Sequence, residues 1–146
     1  MKVLIQRTNK ASVIVNKKEV AAIDHGFVLF VGICKEDNEQ IIKKMAYKIA
    51  NIRLFSDEDG KMNLNIQQVN GSMLSVSQFT LCASNKKGHR PSFDNAKNPI
   101  EAKVLFNLFN QELRKYSINV KEGVFQEHMN VILDNDGPVT IDLEIN

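Results

Sequence analysis

No tryptophan occurs among the 146 residues, and there are only three histidines and two cysteines. Cys34 and Cys82 lie far apart without a C-x-x-C pair, which favours a reduced, cytoplasmic protein over a disulfide framework or a cysteine zinc site. The histidines are scattered, and there is no Walker or Rossmann glycine pattern and no G-x-S-x-G motif. We therefore expect no metal, no cofactor and no catalytic triad.

Long apolar runs and strong net charge are also missing. No run approaches the roughly 18 apolar residues of a membrane span, and the first apolar run is too short for a signal peptide. Lys and Arg number 19 against 17 Asp and Glu, a net charge of +2. Bulk electrostatics of this size cannot hold a nucleic acid, so any such contact must come from a local patch. We expect neither a membrane nor a DNA partner.

The apolar periodicity predicts one α+β domain over residues 1–146, with a mixed, largely antiparallel sheet packed against two main helices. Asp37 is the expected N-cap of a helix at 38–53, and Asn98 that of a helix ending near Tyr116. The expected core stripe of the second helix is Ile100, Val104, Leu105, Leu108, Phe109 and Leu113. The predicted strands are 2–8, 12–15, 19–23, 27–33, 63–69, 72–81, 120–125, 129–133 and 139–145.

Two segments stand out as candidates for function. Strand 72–81 begins apolar and turns polar at Gln78 and Thr80, as expected of a strand that leaves the core at its C-terminal end. The loop at 85–93 gathers Lys86, Lys87 and Arg90, which are suited to phosphate contacts, although a solvated loop explains them equally well.

The third candidate is the run from Asn135 to Thr140, which contains Gly137 and Pro138. Asn, Asp, Gly and Pro between two apolar runs are typical of a hairpin turn. The alternative is that Gly137 and Pro138 present rigid backbone carbonyls to a ligand.

Three blocks of sequence resemble the D-aminoacyl-tRNA deacylase family, also called D-tyrosyl-tRNA deacylase. They are Ser77-Gln78-Phe79-Thr80-Leu81, the block from Lys87 to Phe93, and Asn135-Asp136-Gly137-Pro138-Val139-Thr140. The resemblance covers essentially the whole chain. It implies the fold of the D-aminoacyl-tRNA deacylases. It also implies a homodimer that hydrolyses the ester bond of D-aminoacyl-tRNA and accepts glycyl-tRNA.

The resemblance also implies roles for individual residues. Ser77, Gln78, Phe79 and Thr80 would line the ester end of the pocket. A cis Gly137–Pro138 bond would reach into the partner's pocket and obstruct an L side chain, with Arg7 supporting that motif. Members often have Phe-Gly-Ala before the methionine of the penultimate strand, whereas this chain has Phe125-Gln126-Glu127-His128-Met129.

Two mechanisms and three functions follow. In the first mechanism, backbone N–H groups around Phe79 and Thr80 would stabilise the oxyanion while the RNA 2′-hydroxyl assists the attacking water. In the second, Thr80 would be the nucleophile, and the distant His89 is the only base that the sequence offers for it. The alternatives to the deacylase are a non-catalytic RNA-binding module that uses the basic loop, and a hydrolase of small esters unrelated to tRNA.

Overall fold

A computed structural model describes residues 1–85 and 88–146. The candidate contacts Lys86 and Lys87 lie outside the described residues. None of the described helices is long and apolar enough to cross a membrane. The elements in chain order are β1 (Lys2–Val15), β2 (Lys18–Ile23), β3 (Gly26–Gly32), α1 (Glu39–Asn51), β4 (Arg53–Ser56), β5 (Met62–Asn65), β6 (Ser72–Ser77), a 3-10 helix (Phe79–Cys82), α2 (Pro99–Arg114), β7 (Asn119–Glu122) and β8 (Asn130–Glu144).

One mixed sheet organises the chain, in the order β2-β1-β3-β6-β7. β1 pairs antiparallel with β3 through its first half and with β2 through its second half, while β8 pairs with β1 along almost its full length. Among the strand pairs of the described residues, only β3–β6 and β6–β7 are parallel. This arrangement confirms the predicted α+β class with a mixed, largely antiparallel sheet and two main helices.

β1 and β8 are each one long strand, so the predicted break between strands 2–8 and 12–15 is wrong, and so is the hairpin interpretation of the run from Asn135 to Thr140. The register advances from Gln6↔Thr140 to Thr8↔Asn135, which leaves more residues on β8 than on β1. It then shifts back between Thr8 and Ala11. The turn residues therefore form bulges within paired strands and do not reverse the chain.

Both faces of the sheet are packed. One face meets α1 and α2 around fully buried side chains that include Phe27 and Phe109. The other face covers a smaller cluster with Val13, Val28 and Leu74, against which Met129 packs. The buried central strand predicted at 27–33 is confirmed as β3.

The two helices begin near the expected positions, but the N-cap of α1 is Asn38 and not Asp37. The predicted cap Asp37 is wrong, because its carboxylate accepts hydrogen bonds from the Met1 ammonium and from Cys34 N. Asn38 is the N-cap of α1 and accepts from the amides of Gln40 and Ile41. The Asn98 cap of α2 is confirmed by its bond from Glu101 N, 3.1 Å.

The apolar stripe predicted for α2 is wrong at two positions. Ile100 and Val104 are 82% and 64% exposed. The buried face instead centres on Phe106, which is 2% exposed. At 100° per residue, Ile100 and Val104 lie about 120° and 160° from Phe106, so they point away from the core.

Candidate active site

A cleft of about 660 Å³ opens at the C-terminal end of β6. Ser77, Gln78 and Phe79 form one wall, and residues 93 and 96–99 form another. Residues 125–129 close it from the strand β8 side. The site therefore joins the end of β6, the start of α2 and the approach to β8, three parts of the chain that are distant in sequence.

Strand β6 ends earlier than its apolar pattern predicts. The strand stops at Ser77, and the 3-10 helix from Phe79 to Cys82 replaces the expected continuation to Leu81. Gln78 N still bonds Val31 O on β3 at 2.7 Å. Ser77 and Gln78 therefore line the cleft, and the residues after Ser77 do not alternate between two faces of a sheet.

The start of the 3-10 helix presents two unbonded backbone amides. Phe79 N and Thr80 N donate to no acceptor within residues 1–85 and 88–146, whereas Leu81 N bonds Gln78 O at 3.2 Å. The first amides of a helix have no partner within the helix. Two neighbouring donors of this kind are suited to binding a developing negative charge.

The Thr80 hydroxyl lies beside this site but outside the lining of the cleft. It accepts a hydrogen bond from Gln78 Nε2 at 2.5 Å. No carboxylate or imidazole in the described part of the chain hydrogen-bonds it, His89 included. A hydroxyl nucleophile requires an adjacent base, which this arrangement does not supply.

A disulfide joins Cys34 to Cys82, with Cα atoms 5.6 Å apart, so the expectation of two reduced cysteines is wrong for this structure. Cys34 follows β3, and Cys82 ends the helix that follows β6. Because β3 and β6 are parallel and in register at Val31↔Ser77, both strands leave the sheet at the same edge. The separation of 48 residues gave no sign of this proximity.

The cleft wall at 125–129 contains the departure from the family pattern. Glu127 N bonds Val124 O at 3.2 Å and closes a tight turn. Gln126, the third residue of that turn, has φ +66°. Glycine adopts this left-handed conformation without steric cost, which explains why a glycine suits this position. Gln126 and Glu127, at the positions where the resemblance implies two small residues, thus line the cleft within this turn.

Gly137 and Pro138 form the exposed part of the bulge in β8, and the bond between them is cis, as the resemblance implies. Arg7 holds the base of this bulge. Its Nε lies 2.8 Å from Asp136 Oδ2, and its Nη1 donates to Leu54 O at 2.7 Å. A Cβ on Gly137 would stand 3.1 Å from Arg7 Nη2, so the guanidinium packs directly against the glycine.

A second set of contacts fixes the strand on either side of the bulge. In the orientation that satisfies both ends of its amide, Asn135 donates to Arg7 O at 3.1 Å and Val139 O at 3.2 Å. In that orientation it accepts from the Thr140 hydroxyl and from Gln6 Nε2, each at 3.1 Å. The bulge is therefore tied to β1 by side chains where the main-chain pairing is interrupted.

Within one chain the bulge does not reach the cleft. Strands β1 and β3 separate β8 from β6, so about three interstrand spacings, roughly 14 Å, lie between them. Neither Gly137 nor Pro138 lines the cleft. The structure brings Ser77, Gln78 and Phe79 together at the cleft and does not place the bulge there.

Two aromatic side chains meet at the rim of the cleft, the predicted site residue Phe79 and Phe93, which was not predicted as a site residue. Phe79 and Phe93 are 55% and 41% exposed, and their rings meet edge to face at 5.1 Å. Lys97 lies in the same wall and donates to Lys35 O at 2.7 Å. The block from Lys87 to Phe93, which resembles the family, could have indicated Phe93 as a site residue, but only its basic residues were considered. Arg90 is exposed near this rim segment.

Residues 4–144 match the family described as D-Tyr-tRNA(Tyr) deacylase. The chain belongs to this family. A protein named D-aminoacyl-tRNA deacylase from Staphylococcus haemolyticus is 55% identical over 141 residues, which cover 97% of this chain and 93% of that protein. One of the same name from Staphylococcus aureus is 53% identical, with the same coverage.

Two solved structures are similar to this one. The first, titled c-Myc DNA Unwinding Element Binding Protein, has a TM-score of 0.94 and 38% identity and covers 100% of this chain and 99% of that chain. The second is titled as a probable eukaryotic D-amino acid tRNA deacylase. Its TM-score of 0.84 at 14% identity, with 97% and 98% coverage, shows a shared fold.

Proposed function

We propose that the protein hydrolyses the ester bond of D-aminoacyl-tRNA and of glycyl-tRNA, and so releases free tRNA and the amino acid. The observation that carries this proposal is the pair of unbonded amides at Phe79 and Thr80, placed beside the cleft in a member of a deacylase family. Among the described residues no cluster of metal-ligating side chains occurs.

The reaction requires only a modest lowering of its barrier. An aminoacyl ester is already activated by its α-ammonium group and by the neighbouring ribose hydroxyl. Positioning the ester and stabilising the oxyanion therefore account for catalysis without a side-chain nucleophile. Loss of one oxyanion donor in other enzymes costs about 2.7–4 kcal/mol, so two amides can supply much of the required stabilisation.

Water is the attacking group in this proposal, and the substrate's 2′-hydroxyl assists it. The Thr80 hydroxyl has an amide donor as its neighbour and no base in the described residues, which favours this route over attack by Thr80. Ser77 and Gln78 border the ester end of the cleft and position it.

Rejection of L-aminoacyl-tRNA would come from the Gly137–Pro138 bulge of a second subunit. The support is twofold: the bulge is exposed and held rigidly by Arg7 and Asn135, and it is separated from its own cleft by two strands. Carbonyls inserted into a partner's cleft would clash with an L side chain and leave space for a D side chain or glycine. The proposal therefore includes a homodimer.

The tRNA would approach along the rim that carries Phe79 and Phe93. Exposed aromatic rings can pack against an unstacked terminal base. Arg90, with Lys86 and Lys87, would contact phosphates without reading sequence. We infer a cytoplasmic site of action, where aminoacyl-tRNA is used.

The direct test is incubation with D-tyrosyl-tRNA, with the ethyl ester of D-tyrosine as the matched substrate without RNA. We expect the protein to release tyrosine from the tRNA and not to hydrolyse the ethyl ester. Binding of tRNA without release would identify a non-catalytic RNA-binding module. Equal turnover of both esters would identify a hydrolase of small esters.

A further inference from the structure

We propose that the Cys34–Cys82 disulfide is a thiol–disulfide exchange site that regulates the cleft, with the oxidised protein active and the reduced protein slow. The inference rests on the proposed function, because the disulfide ends the same 3-10 helix whose first amides, Phe79 N and Thr80 N, border the cleft. Cytosolic disulfides, where they occur, are usually transient or redox-sensing, which agrees with such a role.

The disulfide ties the 3-10 helix covalently to Cys34, which follows β3. Within the described part of the chain, the main-chain hydrogen bonds of residues 79–83 remain inside segment 78–83. Gln78 N holds the segment at one end and the Ser84–Ser92 pair holds it at the other. Between these points, packing against Gly32 and the covalent bond to Cys34 keep the helix in place.

The Cys34 side of the disulfide is anchored independently. Cys34 N donates to the Asp37 carboxylate at 2.6 Å, and Lys35 N bonds Asn95 O at 2.8 Å. When the sulfur–sulfur bond is cleaved, Cys34 therefore stays in position. The 3-10 helix loses its covalent tie, and the two oxyanion donors move with it.

The two cysteine residues differ in exposure, and this sets the order of the exchange. Cys34 is half-buried, whereas Cys82 is 2% exposed. The thiolate of a dithiol reductant of the thioredoxin class attacks Cys34 Sγ, and Cys82 Sγ leaves as a thiolate and takes up a proton. The second thiol of the reductant then attacks the mixed disulfide and releases Cys34 as a thiol. The protein gains two electrons and two protons, and the reductant becomes a disulfide.

Displacement of catalytic donors by about 1 Å can cost on the order of 100-fold in rate. We expect reduction to lower the single-turnover rate on D-tyrosyl-tRNA by at least about tenfold. Reoxidation with oxidised glutathione should restore the rate. The Cys34→Ser/Cys82→Ser double variant should have the low rate and show no response to dithiothreitol, which controls for effects of the reagent on the RNA.

The experiment compares oxidised and dithiothreitol-treated wild-type protein, with thiols counted by alkylation and mass spectrometry. Two new thiols with an unchanged hydrolysis rate would overturn the proposal. Hydrogen exchange of the backbone amides provides a readout without activity. Reduction should accelerate exchange in segment 78–83 and leave α1 unchanged.

Failure of the proposed function can be distinguished from failure of this inference. If the oxidised protein does not hydrolyse D-tyrosyl-tRNA, the proposed function is wrong. Hydrogen exchange alone then tests whether the disulfide controls segment 78–83. Faster exchange in segment 78–83 on reduction would then still support a redox-controlled segment, and unchanged exchange would overturn it.

Discussion

The hydroxyl of Thr80 is the residue-scale feature that separates the two mechanisms. It is hydrogen-bonded by the Gln78 amide, and no base among the described residues contacts it. We therefore expect Thr80→Ala to keep the single-turnover rate of deacylation within about threefold of wild type, a change of less than 0.7 kcal/mol in the barrier. A loss of 100-fold or more would instead make Thr80 the nucleophile.

The complementary measurement changes the substrate and leaves the protein intact. Replacing the 2′-hydroxyl of the terminal adenosine by hydrogen removes the group proposed to assist water. Hydrolysis of this 3′-linked ester by the wild-type protein should slow by roughly 100-fold, in the range that general acid–base assistance contributes. An unchanged rate would contradict assistance by the substrate.

Arg7 is the second residue on which the account depends. Its side chain is 12% exposed, and it bridges Asp136 and Leu54 O. Arg7→Ala should lower the free energy of unfolding by about 1–3 kcal/mol, because Leu54 O loses its hydrogen-bond donor and Asp136 loses its ion-pair partner. If the bulge rejects L substrates, the same variant should also hydrolyse L-tyrosyl-tRNA faster.

Lys2 provides a matched control for the stability measurement by denaturant unfolding. It pairs with Glu144 across the same two strands, but at 3.8 Å and with both side chains well exposed. Lys2→Ala should therefore cost no more than about 0.5 kcal/mol. Equal effects of the two substitutions would show that Arg7 contributes only a surface charge.

At the scale of the element, the turn from Val124 to Glu127 is open to test. Gln126 pays the steric cost of a left-handed conformation, about 1–2 kcal/mol for an L residue. Glycine removes this cost but loses roughly 0.5–1 kcal/mol of chain entropy on folding. Gln126→Gly should therefore raise the free energy of unfolding by up to about 1.5 kcal/mol.

Gln126→Ala is the control for this turn, because it removes the side chain and keeps the Cβ that causes the steric cost. It should leave stability unchanged or lower it slightly. Destabilisation by Gln126→Gly of more than about 1 kcal/mol would mean that the side chain of Gln126 stabilises the turn by contacts of its own.

The elements also show where prediction from sequence succeeds. The buried strand β3 and the cap Asn98 followed from local composition, because burial on two faces and capping are local signals. The bulge at Gly137 and Pro138 was ambiguous, since its residues are the same as those of a hairpin turn. Only the partner strand β1 decides between them, and strand pairing is a long-range property.

The prediction that both cysteines are reduced was wrong for a related reason. Cys34 and Cys82 meet because β3 and β6 are parallel neighbours with a common register. Neither the spacing of the cysteines nor their number contains that information. Of the four residues expected at the ester end, Ser77, Gln78 and Phe79 line the cleft and Thr80 does not, and their role in the reaction stays a prediction. The walls formed by Phe93 and the start of α2 could be identified only from the fold.

At the scale of the whole molecule, the separation of the bulge from the cleft predicts a dimer. Two strands of the same chain stand between them, so selection by Gly137 and Pro138 requires a second subunit. Sedimentation equilibrium at the concentrations of the activity assay should give twice the mass of the chain. A monomer that still rejects L-tyrosyl-tRNA would contradict the cross-subunit arrangement.

The central claim is stereospecific deacylation, and the ratio of single-turnover rate constants for D- and L-tyrosyl-tRNA tests it most directly. Both substrates have the same tRNA, the same ester and the same side chain, so the ratio reports chirality alone. We expect hydrolysis of the D substrate to be at least about 100-fold faster than that of the L substrate, a difference of about 2.7 kcal/mol between their barriers. Equal rate constants, or no release from the D substrate above the uncatalysed rate, would contradict it.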